Sequence, residues 1–364
     1  MKFYEKELKA LHRAGRYRER VVVNTNLKDF ASNDYLGLSH NKVLHKKSCE
    51  LLSKGNIHAT KASMLVNGYH QIHKDFEDAL CKANGFEAGI ILGSGFNANI
   101  ALVESLVRKG DRLFMDERYH ASGLLASQLH GIDVTFFQHN NMNELLSLLK
   151  NSRAKRNIIA VEGIYSMDGD LCDREVFTIA DQFEAILIVD EAHSSGVIGE
   201  HLMGVYDYYD ITIKANHIKM GTLGKAYGSF GAFILASQHI VDYLVNRAKP
   251  IIYATSLSLY DTLLAQQSLE YILHNKESLK EKIQRSQKIV YDELGIVIKG
   301  LIAPIVVGDN HKVIMIKDLL AQKGFAVGAI RQPTVSSAII RLIARVGEES
   351  SDLQVLCREL KKLL

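Results

Sequence analysis

Cysteine is scarce in this 364-residue chain. Cys49, Cys81, Cys172 and Cys357 stand apart with no C-x-x-C or C-x-x-H spacing. Neither a disulfide framework nor a zinc site is indicated, no metal is expected, and a reducing compartment is. Proline is scarcer still, at three residues, and no Ser/Gly-rich linker, repeat or low-complexity tract interrupts the chain. Domains that pack together, not tethered ones, are expected. An excess of one charge is also missing: 44 basic and 41 acidic residues leave a formal +3. That is too little to argue for nucleic acid, although it suits anionic ligands. No apolar run approaches the ~18 residues that span a bilayer. The opening MKFYEKELKALHR mixes charges with single apolar residues. Neither a signal peptide nor a membrane anchor is expected, and the reading is cytoplasmic.

What is present is ordinary globular composition, 47% hydrophobic and 23% charged, with length for a large core and a smaller second domain. The expected division is an N-terminal arm (1–45), a large domain (46–257) and a small C-terminal α+β domain (258–364). In the arm, a helix over 5–20 precedes a small hairpin of 21–23 with 29–31. Between about 73 and 255, strands over 88–92, 112–115, 134–137, 157–161 and 185–189 alternate with helices over 74–83, 97–108, 120–129, 143–150 and 174–182. This pattern predicts an α/β fold with a mainly parallel sheet and helices on both faces. A long helical stretch over 258–294 leads to strands over 302–307 and 325–330 around a helix over 312–323.

Four features carry chemistry. Strand 185–189 is wholly apolar and delivers Asp190-Glu191-Ala192-His193 at its carboxyl end, where open α/β sheets bind ligands. A carboxylate there needs a cationic partner such as a protonated pyridine nitrogen. A plain helix N-cap is the alternative, and the D-E-A-H helicase box is excluded because no P-loop precedes it. Lys225 sits among glycines and apolar residues in Met220 to Gly228, a setting that favours Schiff-base chemistry, against the alternative of a surface lysine. Gly93-Ser94-Gly95-Phe96-Asn97 joins a strand to a helix and reads as a phosphate seat or an ordinary turn. Val161 to Asp170 and Asp116 to Ser122 bring further polar groups, Ser166 and His120 among them, to strand ends. A satisfied structural histidine is the alternative for His120.

Taken together, these residues resemble the α-oxoamine synthase family of fold-type I pyridoxal-5′-phosphate (PLP) transferases. The matches run in order: Phe30 to Leu38, Asn67-Gly68-Tyr69, Gly93 to Asn97, His120-Ala121-Ser122, Glu162 to Gly169, Asp190 to Gly199, Thr222 to Lys225 and Pro333-Thr334-Val335. The resemblance implies that Lys225 holds the cofactor as a Schiff base and later moves the substrate α-proton, and that Asp190 pairs with the pyridine nitrogen. It implies that His120 stacks on the ring and serves catalysis, and that Ser166 and His193 bond the phenolic oxygen. Gly95, Phe96 and Thr222 would seat the phosphate side. Arg18, His120, Thr334 and Arg341 would contact substrate, with a solvated charge as the alternative for Arg18. The family's Arg-x-Arg reads here as Arg341-Leu342-Ile343-Ala344-Arg345, and Met64-Leu65 replaces a small, polar run.

Within the family, Pro304 to Asn310 and Gly328 to Val335 look most like the member that condenses L-alanine with a pimeloyl thioester, on acyl carrier protein or coenzyme A. A homodimer is implied. Members using glycine or serine with other acyl groups, and a non-catalytic PLP-binding regulator, are the alternatives.

Overall fold

The computed structural model describes residues 3–364; Met1 and Lys2, part of the expected arm, lie outside the described residues. Eleven strands form among these residues: β1 (Lys28–Phe30), β2 (Ala88–Leu92), β3 (Arg112–Asp116), β4 (Val134–Phe137), β5 (Asn157–Glu162), β6 (Ile186–Asp190), β7 (His217–Thr222), β8 (Ala232–Ala236), β9 (Ile302–Gly308), β10 (Phe325–Ile330) and β11 (Ala338–Ile343). The chain divides into two compact units. One comprises Met1–Tyr35, Met167–Gly169 and Glu281–Leu364; the other comprises Leu36–Ser166 and Asp170–Lys280. Helix Leu259–His274, expected in the C-terminal domain, packs on helices Lys42–Ser53 and Gln71–Asn84 within the larger unit.

The larger unit is built on a seven-stranded sheet ordered β2-β8-β7-β6-β5-β3-β4. The pairs β7–β6, β6–β5, β5–β3 and β3–β4 are parallel, and β8 alone runs antiparallel to its two neighbours. Parallel neighbours require crossovers, and helices supply most of them. Both faces are covered. Ile90, Leu113, Ile158, Ile188 and Ile218 pack with Ala98, Leu102 and Ala126 in one cluster. The alternate residues Ile91, Phe114, Ile159, Leu187 and Phe233 are buried as well. Near-continuous apolar strands are the result expected of a sheet with no wet face.

The strand β7 escaped the sequence reading because Lys219 interrupts it. Yet Lys219 is buried, its amine donating to Asn84 Oδ1 at 2.8 Å and to the Met203 carbonyl, with a Glu191 carboxylate oxygen at 3.7 Å. Gly221 on the same strand lies against the Phe233 ring, where a Cβ would collide.

The smaller unit holds a four-stranded sheet ordered β1-β10-β11-β9. Here the expected hairpin is corrected: β1 pairs in parallel with β10, Phe30 opposite Val327, and residues 21–23 join no strand. Phe30 is buried, whereas Val21, Val22 and Val23 stay about 80% exposed or more. An isolated two-stranded ribbon has no second layer to cover it, so a place beside β10 is the better burial. The expected helix over 5–20 stops at Arg13. Gly15 turns left-handed at φ +62°, and the Arg16 N–H donates to the Leu11 carbonyl at 2.9 Å, a glycine stop signal. The helical stretch over 258–294 breaks at Asn275 into Leu259–His274 and Lys276–Leu294.

Candidate active site

Strands β2, β3, β5, β6 and β7 all point the same way, so their carboxyl ends meet one edge of the sheet. Those ends are followed by Gly95, His120, Ser166, His193 and Lys225 respectively. The topology alone thus gathers residues spread over more than a hundred positions of sequence.

At the end of β6, Asp190 is buried. Its Oδ1 accepts the Ala192 N–H at 3.0 Å, which is the local turn expected of the capping alternative. Its Oδ2 accepts from Asn99 Nδ2 at 3.0 Å, from a helix in a different crossover. The same Asn99 nitrogen donates to Ser122 Oγ at 2.9 Å, and the Tyr119 hydroxyl donates to Asn99 Oδ1 at 2.6 Å. Burial, and then the Asp190 and Glu162 carboxylates, hold Tyr119 well above the usual phenol range, so it remains a donor. Ser122 Oγ lies 2.7 Å from His120 Nδ1, which also accepts the Ser122 N–H.

Polarity in this chain runs one way. An amide oxygen facing the Asp190 carboxylate would be repelled, so Asn99 presents its NH2 group there. With Asn99 donating to it, Ser122 turns its own hydrogen toward His120 Nδ1. Burial lowers the His120 pKa against the pull of Asp190, and the Lys225 charge adds to the lowering. With Nδ1 accepting the Ser122 N–H, Nε2 is the ring nitrogen left to offer an N–H to a ligand.

Lys225 follows β7 and is partly buried; its Nζ stands 2.8 Å from His193 Nε2. The helix Gly95–Leu106 begins at the same edge, with Ser94 Oγ accepting the Asn97 N–H at 3.2 Å. A Cβ built on Gly95 would lie 3.8 Å from Thr222 Cβ, so Thr222 borders the helix start. Its hydroxyl donates to the Gly231 carbonyl at 3.1 Å. Phe96 is 44% exposed.

Glu162 and Asp190 are register partners on β5 and β6. Burial, and then the neighbouring Asp190 charge, push Glu162 well above the usual carboxyl range. Glu162 Oε2 accepts the Ser166 N–H at 3.0 Å and so fixes the loop that carries that serine.

The smaller unit holds the remaining expected residues. Arg18 lies beyond the end of its helix and bonds Thr334 Oγ1 at 3.3 Å. Arg341, on β11, is buried and donates to Asn33 Oδ1 at 2.9 Å. Arg345 differs: Asp29 and, at 2.7 Å, Asp34 both hold its guanidinium. Arg341 is the candidate for a substrate carboxylate.

Sequence reasoning missed Asn99, Tyr119 and Glu162 as participants. Asn99 was open to discovery as the one polar residue within Ala98 to Val103, a helical run that is otherwise apolar.

The larger unit meets the needs of PLP with its own donor set. It has a lysine amine beside an imidazole, a buried carboxylate accepting from the neutral Asn99 and Ala192 donors, and a capped helix start bordered by a threonine. A model of aminotransferase class I and II matches residues 25–360. The chain belongs to the aminotransferase class I and II family. Among curated proteins, this aminotransferase-family chain is similar to the 8-amino-7-oxononanoate synthase of Helicobacter pylori, 42% identical over 98% of this chain and 96% of the relative. A putative 8-amino-7-oxononanoate synthase of Aquifex aeolicus is 36% identical over 100% and 99%. Among solved structures, an 8-amino-7-oxononanoate synthase from Francisella tularensis superposes with a TM-score of 0.77 at 25% identity, covering 93% of this chain and 98% of that one. A serine palmitoyltransferase from S. paucimobilis with a bound PLP–myriocin aldimine reaches a TM-score of 0.89 at 21% identity, covering 99% and 96%. That last likeness extends the fold-type I architecture over almost the whole aminotransferase-family chain.

Proposed function

We propose that this protein is a cytoplasmic, homodimeric, PLP-dependent acyltransferase that condenses L-alanine with a pimeloyl thioester. The products are 8-amino-7-oxononanoate, carbon dioxide and the free thiol of acyl carrier protein or coenzyme A. The observation that carries this reading is the near full-length 42% identity to an enzyme named for that product. Four unpaired cysteines agree with a reducing compartment, and no helix among the described residues is long and apolar enough to cross a membrane.

Bound PLP supplies an electron sink for the charge left at the alanine Cα. The chain does the rest. Lys225 Nζ holds the cofactor and moves the Cα proton, with His193 Nε2 orienting that amine from 2.8 Å. Asp190 would face the ring nitrogen, and its bond to Asn99 keeps it directed. The N–H groups at Gly95 and Phe96, with the Thr222 hydroxyl, bind the phosphate. Ser166 and His193 would bond the phenolic oxygen. His120 would border the cofactor and would offer its Nε2–H to negative charge developing on the thioester carbonyl oxygen. Arg341 grips the alanine carboxylate until it leaves as carbon dioxide, and Arg18 and Thr334 meet the acyl substrate.

The test is a matrix of turnover: alanine, glycine and serine against pimeloyl, acetyl, succinyl and palmitoyl coenzyme A, repeated with pimeloyl-acyl carrier protein. Alanine with a pimeloyl donor should exceed every other pair by at least about tenfold, the discrimination a few methylenes can provide. No turnover with either pimeloyl donor overturns the assignment.

A further inference from the structure

His139, just past the end of β4, stands between two carboxylates. Its Nδ1 is 3.1 Å from Asp116 Oδ1, and its Nε2 is 2.7 Å from Asp170 Oδ2. Ionised carboxylates only accept, so each ring nitrogen must donate, and only the imidazolium has two N–H groups.

Each partner begins or closes a loop of the site described above. Asp116 ends β3 and shapes the turn leading to His120: its carboxylate accepts the Arg118 N–H at 2.9 Å, and its carbonyl accepts the Tyr119 N–H at 2.9 Å. Asp170 closes the loop that follows β5 and contains Ser166: its carbonyl accepts the Tyr165 N–H at 2.9 Å, and Ile164 bridges Leu171. The Tyr165 ring also meets the imidazole edge-on at a centroid distance of 4.4 Å.

We propose that His139 is a positioning residue that, by bridging Asp116 and Asp170, clasps the turn carrying His120 to the loop carrying Ser166. Two groups assigned to opposite parts of the cofactor are thereby set in one register by a side chain that touches neither. The clasp rests on the PLP reading of the site for its purpose, but its existence does not.

The charge on His139 is held firmly. Burial opposes it, but hydrogen bonds to Asp116 and then Asp170 outweigh burial and raise its pKa to about 9. The other groups facing it are Glu117, whose Oε1 accepts the His139 N–H at 3.3 Å, Asn140, whose Nδ2 lies 3.4 Å from Nε2, and Tyr165. Asp173 reaches Asn140 from the next segment by its N–H at 3.0 Å.

Hydrogen exchange of the apoprotein, followed by PLP titration, tests the clasp in wild type, His139→Ala and Asp170→Asn; the last keeps a side chain of the same size in case the first does not fold. Exchange should rise together in 116–120 and 163–172 in each folded variant. PLP should bind about tenfold more weakly in each. In the wild type the same two segments should loosen together as pH rises through about 9. A rise in only one segment, a uniform rise over the whole larger unit, or unchanged PLP affinity overturns the proposal. If wild type fails to bind PLP while both segments still loosen together, the cofactor reading falls and the clasp stands.

Discussion

Asn99 Nδ2 divides its two hydrogens between Asp190, at 3.0 Å, and Ser122, at 2.9 Å. This one amide joins the carboxylate assigned to the pyridine nitrogen to the histidine assigned to the ring face. Replacing Asp190 by Asn removes the charge at nearly constant volume. A loss in kcat of about 10²- to 10³-fold is expected, the size seen when one preorganised electrostatic partner is removed. PLP binding should weaken far less. Rapid-mixing kinetics with alanine alone should show slowed Cα deprotonation, and an unchanged exchange rate of the alanine α-proton would refute the assignment.

Substitution of Lys225 by Ala should abolish both the visible absorption band near ~420 nm and turnover, since the amine is the proposed nucleophile toward the cofactor. Because the phosphate seat is built from other residues, PLP should remain bound, detectable as free aldehyde after gel filtration. Retention of the band in Lys225→Ala would mean that another amine holds the cofactor.

Arg341 and Arg345 should part company under mutation. Arg345→Met leaves Asp29 and Asp34 without their shared cation, and breaking a buried pair from one side costs about 3–5 kcal/mol. Chemical denaturation should register that loss. Arg341→Lys should instead raise the KM for alanine at least about tenfold with little change in unfolding midpoint, reflecting the lost bidentate grip. Equal stability losses in both would remove the case for Arg341 as the carboxylate ligand.

A pH prediction attaches to Glu77, on helix Gln71–Asn84. Burial raises its pKa to about 7, against hydrogen bonds from the Tyr69 hydroxyl and the Ile91 N–H. A raised folded pKa means the unfolded chain loses this proton first, so stability is full below about 4.5 and falls as pH rises through about 7. The 2- to 3-unit shift corresponds to about 3 kcal/mol. Unfolding free energy between pH 5 and 8 should decline with a steeper slope in wild type than in Glu77→Gln; parallel slopes would contradict the shift.

Much of this was legible before any coordinates. The apolar strands β2, β3, β5 and β6 announced a doubly covered sheet, and Asp190, His193 and Lys225 stood out because polar groups at the ends of such runs need partners. What stayed hidden was set by long-range satisfaction. Lys219 looks like a strand breaker until Glu191 and Asn84 are seen around it, and Val21 to Val23 look like a strand until β10 takes β1. Asn99 stands out in sequence only as a lone polar residue in an apolar run; its partner Asp190 is ninety-one positions away and comes to it through packing.

The line from Asp190 through Asn99 and Ser122 to His120 has one further consequence. Each side chain along it gives a hydrogen one way and accepts one the other way, so Asp190 is tied to His120 across seventy positions of sequence. Proton placement at one wall of the pocket cannot drift independently of charge at another. A change at any one of these four side chains therefore reaches the other three through the bonds that join them.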